Sequence, residues 1–207
     1  MVEIVDAKFL TSAPNVARAP ESISQDEVAF MARSNVGKSS LLNALANHKG
    51  LAKVSATPGK TRLINYFEMT FLDRETGQKS FAKFVDLPGF GYAKVSKSIK
   101  EDWEQSLTEY ILKRSQIKVY VHLIDARHPH LEIDNSVRDF LRESAHPNQK
   151  VLEIFTKIDK LNQKEQSALR REFPNAIMVS SSKKKGINTL IEKIYAILNE
   201  DRDADNL

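Results

Sequence analysis

Cysteine is absent from all 207 residues, which removes disulfides, thiolate metal sites and cysteine nucleophiles together and suits a reducing compartment. Glycine and proline are scarce, seven of each, too few for a collagen-like or low-complexity chain. No long apolar run is present either. The most apolar stretch, Val119 to Ile124, is interrupted by His122 and is far too short to span a bilayer. The N-terminus, MVEIVDAKFL, lacks the basic segment and apolar core of a signal peptide. These absences predict a cytoplasmic protein without a membrane partner. With 41% hydrophobic and 28% charged residues the chain has the composition of a folded protein, and its length fits one domain. No internal repeat or heptad array is visible, so a polymerising coiled coil is not indicated, and a monomer is expected.

Acid is missing locally. Asn47 to Phe67 holds Lys49, Lys53, Lys60 and Arg62 without an Asp or Glu, and Leu87 to Lys100 holds Lys94, Lys97 and Lys100 likewise. The whole chain carries +4, so the remainder is net negative and the positive charge is concentrated in two windows. Such windows can be ordinary solvated loops or a surface for a polyanion.

What is there alternates. Val28 to Met31, Ile64 to Leu72, Phe81 to Asp86, Ile117 to Asp125, Lys150 to Thr156 and Ala176 to Ser180 are short, apolar and bounded by turn residues, as strands are. Trp103, Leu107, Tyr110 and Ile111 recur at helical spacing, as do Ile187, Leu190, Ile191, Ile194 and Leu198. The order predicts a three-layer α/β fold with a six-stranded, mostly parallel sheet. A hairpin turning near Glu75-Thr76-Gly77 makes one edge strand antiparallel. Residues 1–25 read as an approach segment, 26–199 as the domain and 200–207 as a frayed tail.

The strongest local signal is Ala32-Arg33-Ser34-Asn35-Val36-Gly37-Lys38-Ser39, lying between the first strand and a helix with Leu41, Leu42 and Leu45. This is the context of a phosphate-binding loop. Successive backbone N–H groups wrap phosphates at a helix N-terminus, Lys38 reaches the β- and γ-phosphates, and the Ser39 hydroxyl suits Mg²⁺. Ala32 stands where glycine usually opens this loop, a change the backbone tolerates if φ is negative there. Asp86-Leu87-Pro88-Gly89 closes the third strand, placing a carboxylate where it can hold Mg²⁺ through water and the Gly89 N–H where it can sense a γ-phosphate. Thr156-Lys157-Ile158-Asp159 closes the fifth. A carboxylate there can accept both the ring N–H and the exocyclic amino protons of guanine, a pairing adenine cannot supply. Ser180-Ser181-Ser182-Lys183 follows the sixth strand and either offers a backbone N–H to guanine O6 or caps a helix. Between these motifs, Thr57-Pro58-Gly59-Lys60-Thr61-Arg62 is a candidate switch, with Thr61 preferred over Thr57 as a γ-phosphate-dependent Mg²⁺ ligand because it adjoins the strand that anchors it.

ARSNVGKSSLLNAL, SATPGKTRLINYF, DLPGFGYAKVSK, HLIDARH and FTKIDKL together closely resemble the EngB (YihA) family of bacterial GTP-binding proteins, in the group containing Era, EngA and the tRNA-modification GTPases. The resemblance spans about residues 5–198. It implies a Ras-like P-loop GTPase that hydrolyses GTP to GDP, assists assembly of the large ribosomal subunit through its rRNA, and is linked to division septum formation. It implies nucleotide contacts at Ala32 to Ser39, at Gly59, Lys60 and Thr61, at Asp86, Leu87, Pro88 and Gly89, at Thr156, Lys157, Ile158 and Asp159, and at Val179, Ser180 and Ser181. Lys38 and Thr61 are then catalytic, and Ser39 and Thr61 hold Mg²⁺. Asn35 stands where related GTPases use asparagine to help bind K⁺. Phe90 follows Gly89 where a water-positioning glutamine would stand, so hydrolysis should be slow, and Phe90 reads as a packing residue exposed by the switch. His122, His128 and His130 read as core or rim residues. Two other classes remain open, an RNA-binding module and a septation structural protein, each with nucleotide turnover secondary.

Overall fold

The computed structural model describes residues 1–20, 25–52, 63–90, 105 and 107–204. Seven strands form one sheet: β1 (Val2–Ala13), β2 (Glu27–Ala32), β3 (Ile64–Asp73), β4 (Lys79–Asp86), β5 (Ile117–Asp125), β6 (Lys150–Thr156) and β7 (Ile177–Met178). Their spatial order is β1-β3-β4-β2-β5-β6-β7. Among the described residues the helices are α1 (Lys38–Leu45), α2 (seen over 107–113), α3 (Glu132–Ser144), α4 (Gln163–Glu172) and α5 (Ile187–Ala204).

The fold class holds, with one correction. The sheet has seven strands rather than six, and the extra one, β1, lies in the segment read as an approach to the domain. β3 is antiparallel to both β1 and β4, while β4, β2, β5, β6 and β7 are parallel to one another. The antiparallel strand is therefore second from the edge. β1 escapes the alternation test because its pairing with β3 shifts register between Ile4 and Asp6 and again between Phe9 and Thr11, which breaks the two-residue period. β7 is only two residues long, and α5 runs on to Ala204 where a frayed tail was expected from residue 200.

The central strands are apolar for a physical reason. Every residue of β2 is buried because helices cover both faces of a parallel sheet. On one face Leu41, Leu42 and Leu45 of α1 meet Ile187, Leu190, Ile191 and Ile194 of α5. On the other, Tyr110 and Ile111 of α2 meet Leu141 of α3. Full burial of one such side chain contributes about 1.5–3 kcal/mol. α4 starts on a capping box, Asn162 accepting from the Glu165 N–H at 3.0 Å and Glu165 accepting from the Asn162 N–H at 2.8 Å. At the N-terminal end of β2 the buried Glu27 receives two hydrogen bonds from Arg114, at 3.0 and 2.7 Å, a structural ion pair at the edge opposite the candidate site. No helix among the described residues is long and apolar enough to cross a membrane.

Candidate functional site

Parallel strands end on the same edge of a sheet, so the C-terminal ends of β2, β4, β5, β6 and β7 deliver Ala32, Asp86, Asp125, Thr156 and the Val179-Ser180 pair to one rim. Ala32 is fully buried and lies outside the positive-φ region, so the missing glycine costs the loop nothing at that position. Gly37 has φ +107 and immediately precedes α1; this position does require glycine. No side chain caps α1, which leaves the N–H groups of its first turn available to an anion.

The Lys38 ammonium contacts the Asp86 carboxylate, and both side chains are largely buried. Burial pushes the ammonium down to about 7, and the adjacent carboxylate opposes that shift. Ser39, which follows Lys38 on the first turn of α1, adds a hydroxyl. Hydroxyl and carboxylate oxygens are the donor types that hard Mg²⁺ selects, so the described residues fit that ion.

Two consecutive loop carbonyls are held from behind. Thr156 Oγ1 donates to Val36 O at 2.8 Å, and Lys157 Nζ donates to Asn35 O at 2.5 Å. Lys157 itself sits at φ +58, and a Cβ added at Gly37 would lie 3.8 Å from its Cε. Its ammonium is paired with Asp125 Oδ2 at 3.0 Å, and Asp125 also takes Arg127 Nη2 at 2.7 Å and Nε at 3.0 Å. Burial pushes the Asp125 carboxyl up, but the hydrogen bonds from Arg127 and Lys157 outweigh it and hold the group well below the usual range. Asp125 was not among the expected contacts. The signal for it was its place at the end of β5, equivalent to Asp86 at the end of β4.

Asp159 lies one turn beyond β6. Its Oδ1 accepts from Ser180 Oγ at 2.6 Å, and that bond keeps the carboxyl below its ordinary value. Ser180 exchanges two backbone hydrogen bonds of 3.0 Å with Lys185, and the Lys183 N–H reaches its Oγ at 3.2 Å, so the serine cluster closes a loop and does not cap a helix with its first member. Gly186 ends that loop at φ +73, where a Cβ would sit 2.2 Å from Met178 O. Ile158 is buried and its N–H bonds to Val179 O at 3.3 Å, joining the segments that follow β6 and β7.

Leu87, Pro88 and Gly89 are buried against the end of β2. Leu87 N–H donates to Phe30 O at 3.2 Å, Phe90 N–H to Ala32 O at 3.1 Å, and Ser34 N–H to Phe90 O at 3.4 Å. Phe90 is 4% exposed, with its ring centroid 6.1 Å from that of His122, so it is a packing residue. Arg33 turns its guanidinium to the buried Asp134 of α3 at 2.9 Å, another contact that local sequence does not signal. His122 is buried, while His128 and His130 are exposed. Ser181 is half-buried beside the Ser180 turn. Gly59, Lys60 and Thr61, with Thr57, Lys94, Lys97, Lys100 and Trp103, lie outside the described residues.

Residues 27–157 match a family described as 50S ribosome-binding GTPase. The chain is 54% identical over 196 residues to a probable GTP-binding protein EngB of Aliarcobacter butzleri, covering 94% of this chain and 98% of that one. It is 52% identical over 193 residues to its counterpart in Campylobacter jejuni subsp. doylei, covering 92% and 95%. Among solved structures, a probable GTP-binding protein engB aligns with a TM-score of 0.62 at 24% identity, over 84% of this chain and 99% of the other. A point variant of Aquifex aeolicus Era bound to GDP.AlF4- also aligns at 0.62, with 22% identity, over 83% of this chain and 56% of Era. At these identities both structural likenesses speak to the fold alone.

Proposed function

The chain belongs to the EngB family of GTP-binding proteins, a family of GTPases, and on that premise we propose that it is a GTP-hydrolysing switch acting in assembly of the large ribosomal subunit. The observation that carries the reading is the convergence on one sheet edge of Lys38 beside Asp86, Lys157 strapped between Asp125 and Asn35, and Asp159 fixed by Ser180. The first group addresses phosphates, the second shapes the loop around them, and the third reads the base.

In this reading the loop N–H groups and Lys38 hold the β- and γ-phosphates, and Asp159 accepts the two N–H donors of the guanine edge. Val179, Ser180 and Ser181 close over the base. Ser39 and Thr61 would hold Mg²⁺, with Asp86 reaching it through water; the ion supplies charge neutralisation at the reacting phosphates when bound. A phenyl group cannot orient water, and Phe90 is turned into the core, so intrinsic turnover is slow and depends on charge placed by Lys38, backbone N–H groups and a partner. Asn35, exposed and at φ +66, is proposed to help bind K⁺ beside the phosphates; faster hydrolysis in K⁺ than in Na⁺ at matched ionic strength supports this, and equal rates refute it.

Both acid-free windows flank the expected switches, so docking on rRNA should follow the nucleotide state, and the implied role in septum formation is proposed to run through the same switch. The test is co-sedimentation with purified large subunits. A non-hydrolysable GTP analogue should promote association and GDP should not, and Lys94→Glu with Lys97→Glu should weaken it without weakening GTP binding. Equal association in both nucleotide states refutes the proposal.

A further inference from the structure

The Lys183-Lys184-Lys185 run belongs to neither acid-free window, yet the fold places it beside the start of the first. The turn that ends α1 and the loop that precedes α5 meet where Lys184 Nζ donates to Asn47 Oδ1 at 3.1 Å. Both meeting residues are in the left-handed region, Asn47 at φ +46 and Lys184 at φ +51, so each turn is fixed sharply. Local hydrogen bonds hold each in place: His48 N–H to Asn43 O at 3.0 Å on one side, and the Ser180 and Lys185 backbone pair on the other.

The joined surface is basic and uncompensated. His48, Lys49, Lys183, Lys184 and Lys185 are all exposed, and among the described residues none of these four lysines forms an ion pair. Residues 28–67 contain no Asp or Glu, nor do residues 173–191. None of the exposed large apolar side chains belongs to either turn. A protein-binding patch of this kind would need apolar or aromatic anchors, and a membrane-binding one would need an apolar wedge. A row of point charges with amide and hydroxyl donors and no apolar anchor instead fits the phosphate backbone of an RNA.

We propose that the Asn47-His48-Lys49 turn and the Lys183-Lys184-Lys185 loop form one docking surface for RNA phosphates, engaged equally in the GDP and GTP states. It rests on the ribosomal reading above and deepens it. State independence follows from position: Lys49 opens the first window on the turn that ends α1, ahead of the Thr57 to Arg62 switch candidate, the surface borders the loop closing on guanine, a part common to both nucleotides, and it lies on the α1 and α5 face of the sheet. The Phe90 turn, from which the second window continues, packs on the opposite face with α2 and α3.

The test uses the full chain, a fluorescein-labelled RNA hairpin and polyglutamate of matched charge, read by anisotropy at 0.1 M salt with GDP and with a non-hydrolysable GTP analogue. Loss of two phosphate contacts lowers the salt slope by about 1.4–1.8 and the RNA affinity by about 25- to 60-fold at that salt. That is the result expected for Lys49→Gln with Lys184→Gln, the same in both nucleotide states, and Lys49→Glu with Lys184→Glu should lose more. Fluorescent GDP affinity, measured alongside, should stay at the parent value. Unchanged RNA affinity in both variants overturns the proposal, as does a loss confined to the GTP-analogue state or polyglutamate binding as tight as RNA. If these variants keep their RNA affinity while subunit association remains GTP-dependent, this surface fails and the switch reading stands. If RNA affinity falls as expected while Lys94→Glu with Lys97→Glu changes nothing, the reverse holds.

Discussion

Replacing Asp125 by Asn tests the strap behind the phosphate loop. The carboxylate is 5% exposed and takes the Arg127 N–H at 3.1 Å, Arg127 Nε at 3.0 Å, Arg127 Nη2 at 2.7 Å and Lys157 Nζ at 3.0 Å. An amide keeps the shape and one acceptor but turns an NH₂ donor toward a cation. A hydrogen bond to a charged group contributes about 1.5–3 kcal/mol, but the Arg127 part must be discounted because that side chain is 44% exposed and screened by water. The net cost to stability should be about 2–3 kcal/mol, most of it through Lys157. Release of Lys157 from Asn35 O should cost the loop a further tenfold in nucleotide dissociation rate, roughly 1.4 kcal/mol. Stopped-flow release of a fluorescent GDP analogue and urea unfolding measure the two effects. The pH dependence has a defined sign. The folded carboxyl is held below its ordinary value of 3.8, so its contribution is complete above that pH and is lost as pH falls through the folded value. The stability gap between parent and variant should therefore close in acid. Unchanged dissociation in the variant would refute the strap.

Gly186→Ala should destabilise by about 2–4 kcal/mol and weaken guanine nucleotides, because φ is +73 and the new methyl meets Met178 O at 2.2 Å, whereas Gly77→Ala, at φ +74 in open space, should cost about 1 kcal/mol and leave nucleotide affinity intact; thermal melts with and without GDP separate the two. Glu27→Gln should weaken the two charge-assisted bonds that Arg114 makes to this carboxylate and cost about 1.5–3 kcal/mol, or about 3–12 °C in Tm, without changing nucleotide affinity in the folded protein, since the pair lies at the other end of β2.

How much of this was legible in the sequence depended on whether the signal was local. The phosphate loop, Asp86 and Thr156 to Asp159 each sit in a strand-to-loop junction that a few neighbouring residues define, and the strands at Ile117 to Asp125 and Lys150 to Thr156 are found with the same bounds. β1 was hidden because two register shifts break its alternation, and because Glu3, Asp6 and Lys8 give an edge strand a polar look. The strap from Asp125 through Lys157 to Asn35 joins residues 32 and 122 positions apart, and Arg33 finds Asp134 at a separation of 101; no window contains such pairs. The contact between Lys184 and Asn47 is invisible for the same reason.

The central claim is a site that reads guanine through Asp159. Ser180 Oγ donates to Asp159 Oδ1 at 2.6 Å, so in Asp159→Asn the amide oxygen keeps that bond and the NH₂ is turned to the base. It then donates where xanthine presents its C2 carbonyl and clashes with the amino group of guanine. Competitive displacement of labelled nucleotide by GTP and XTP is the direct measurement. The variant should lose affinity for GTP and gain it for XTP, while the parent prefers GTP; GTP affinity unchanged, with no gain for XTP, would contradict the account.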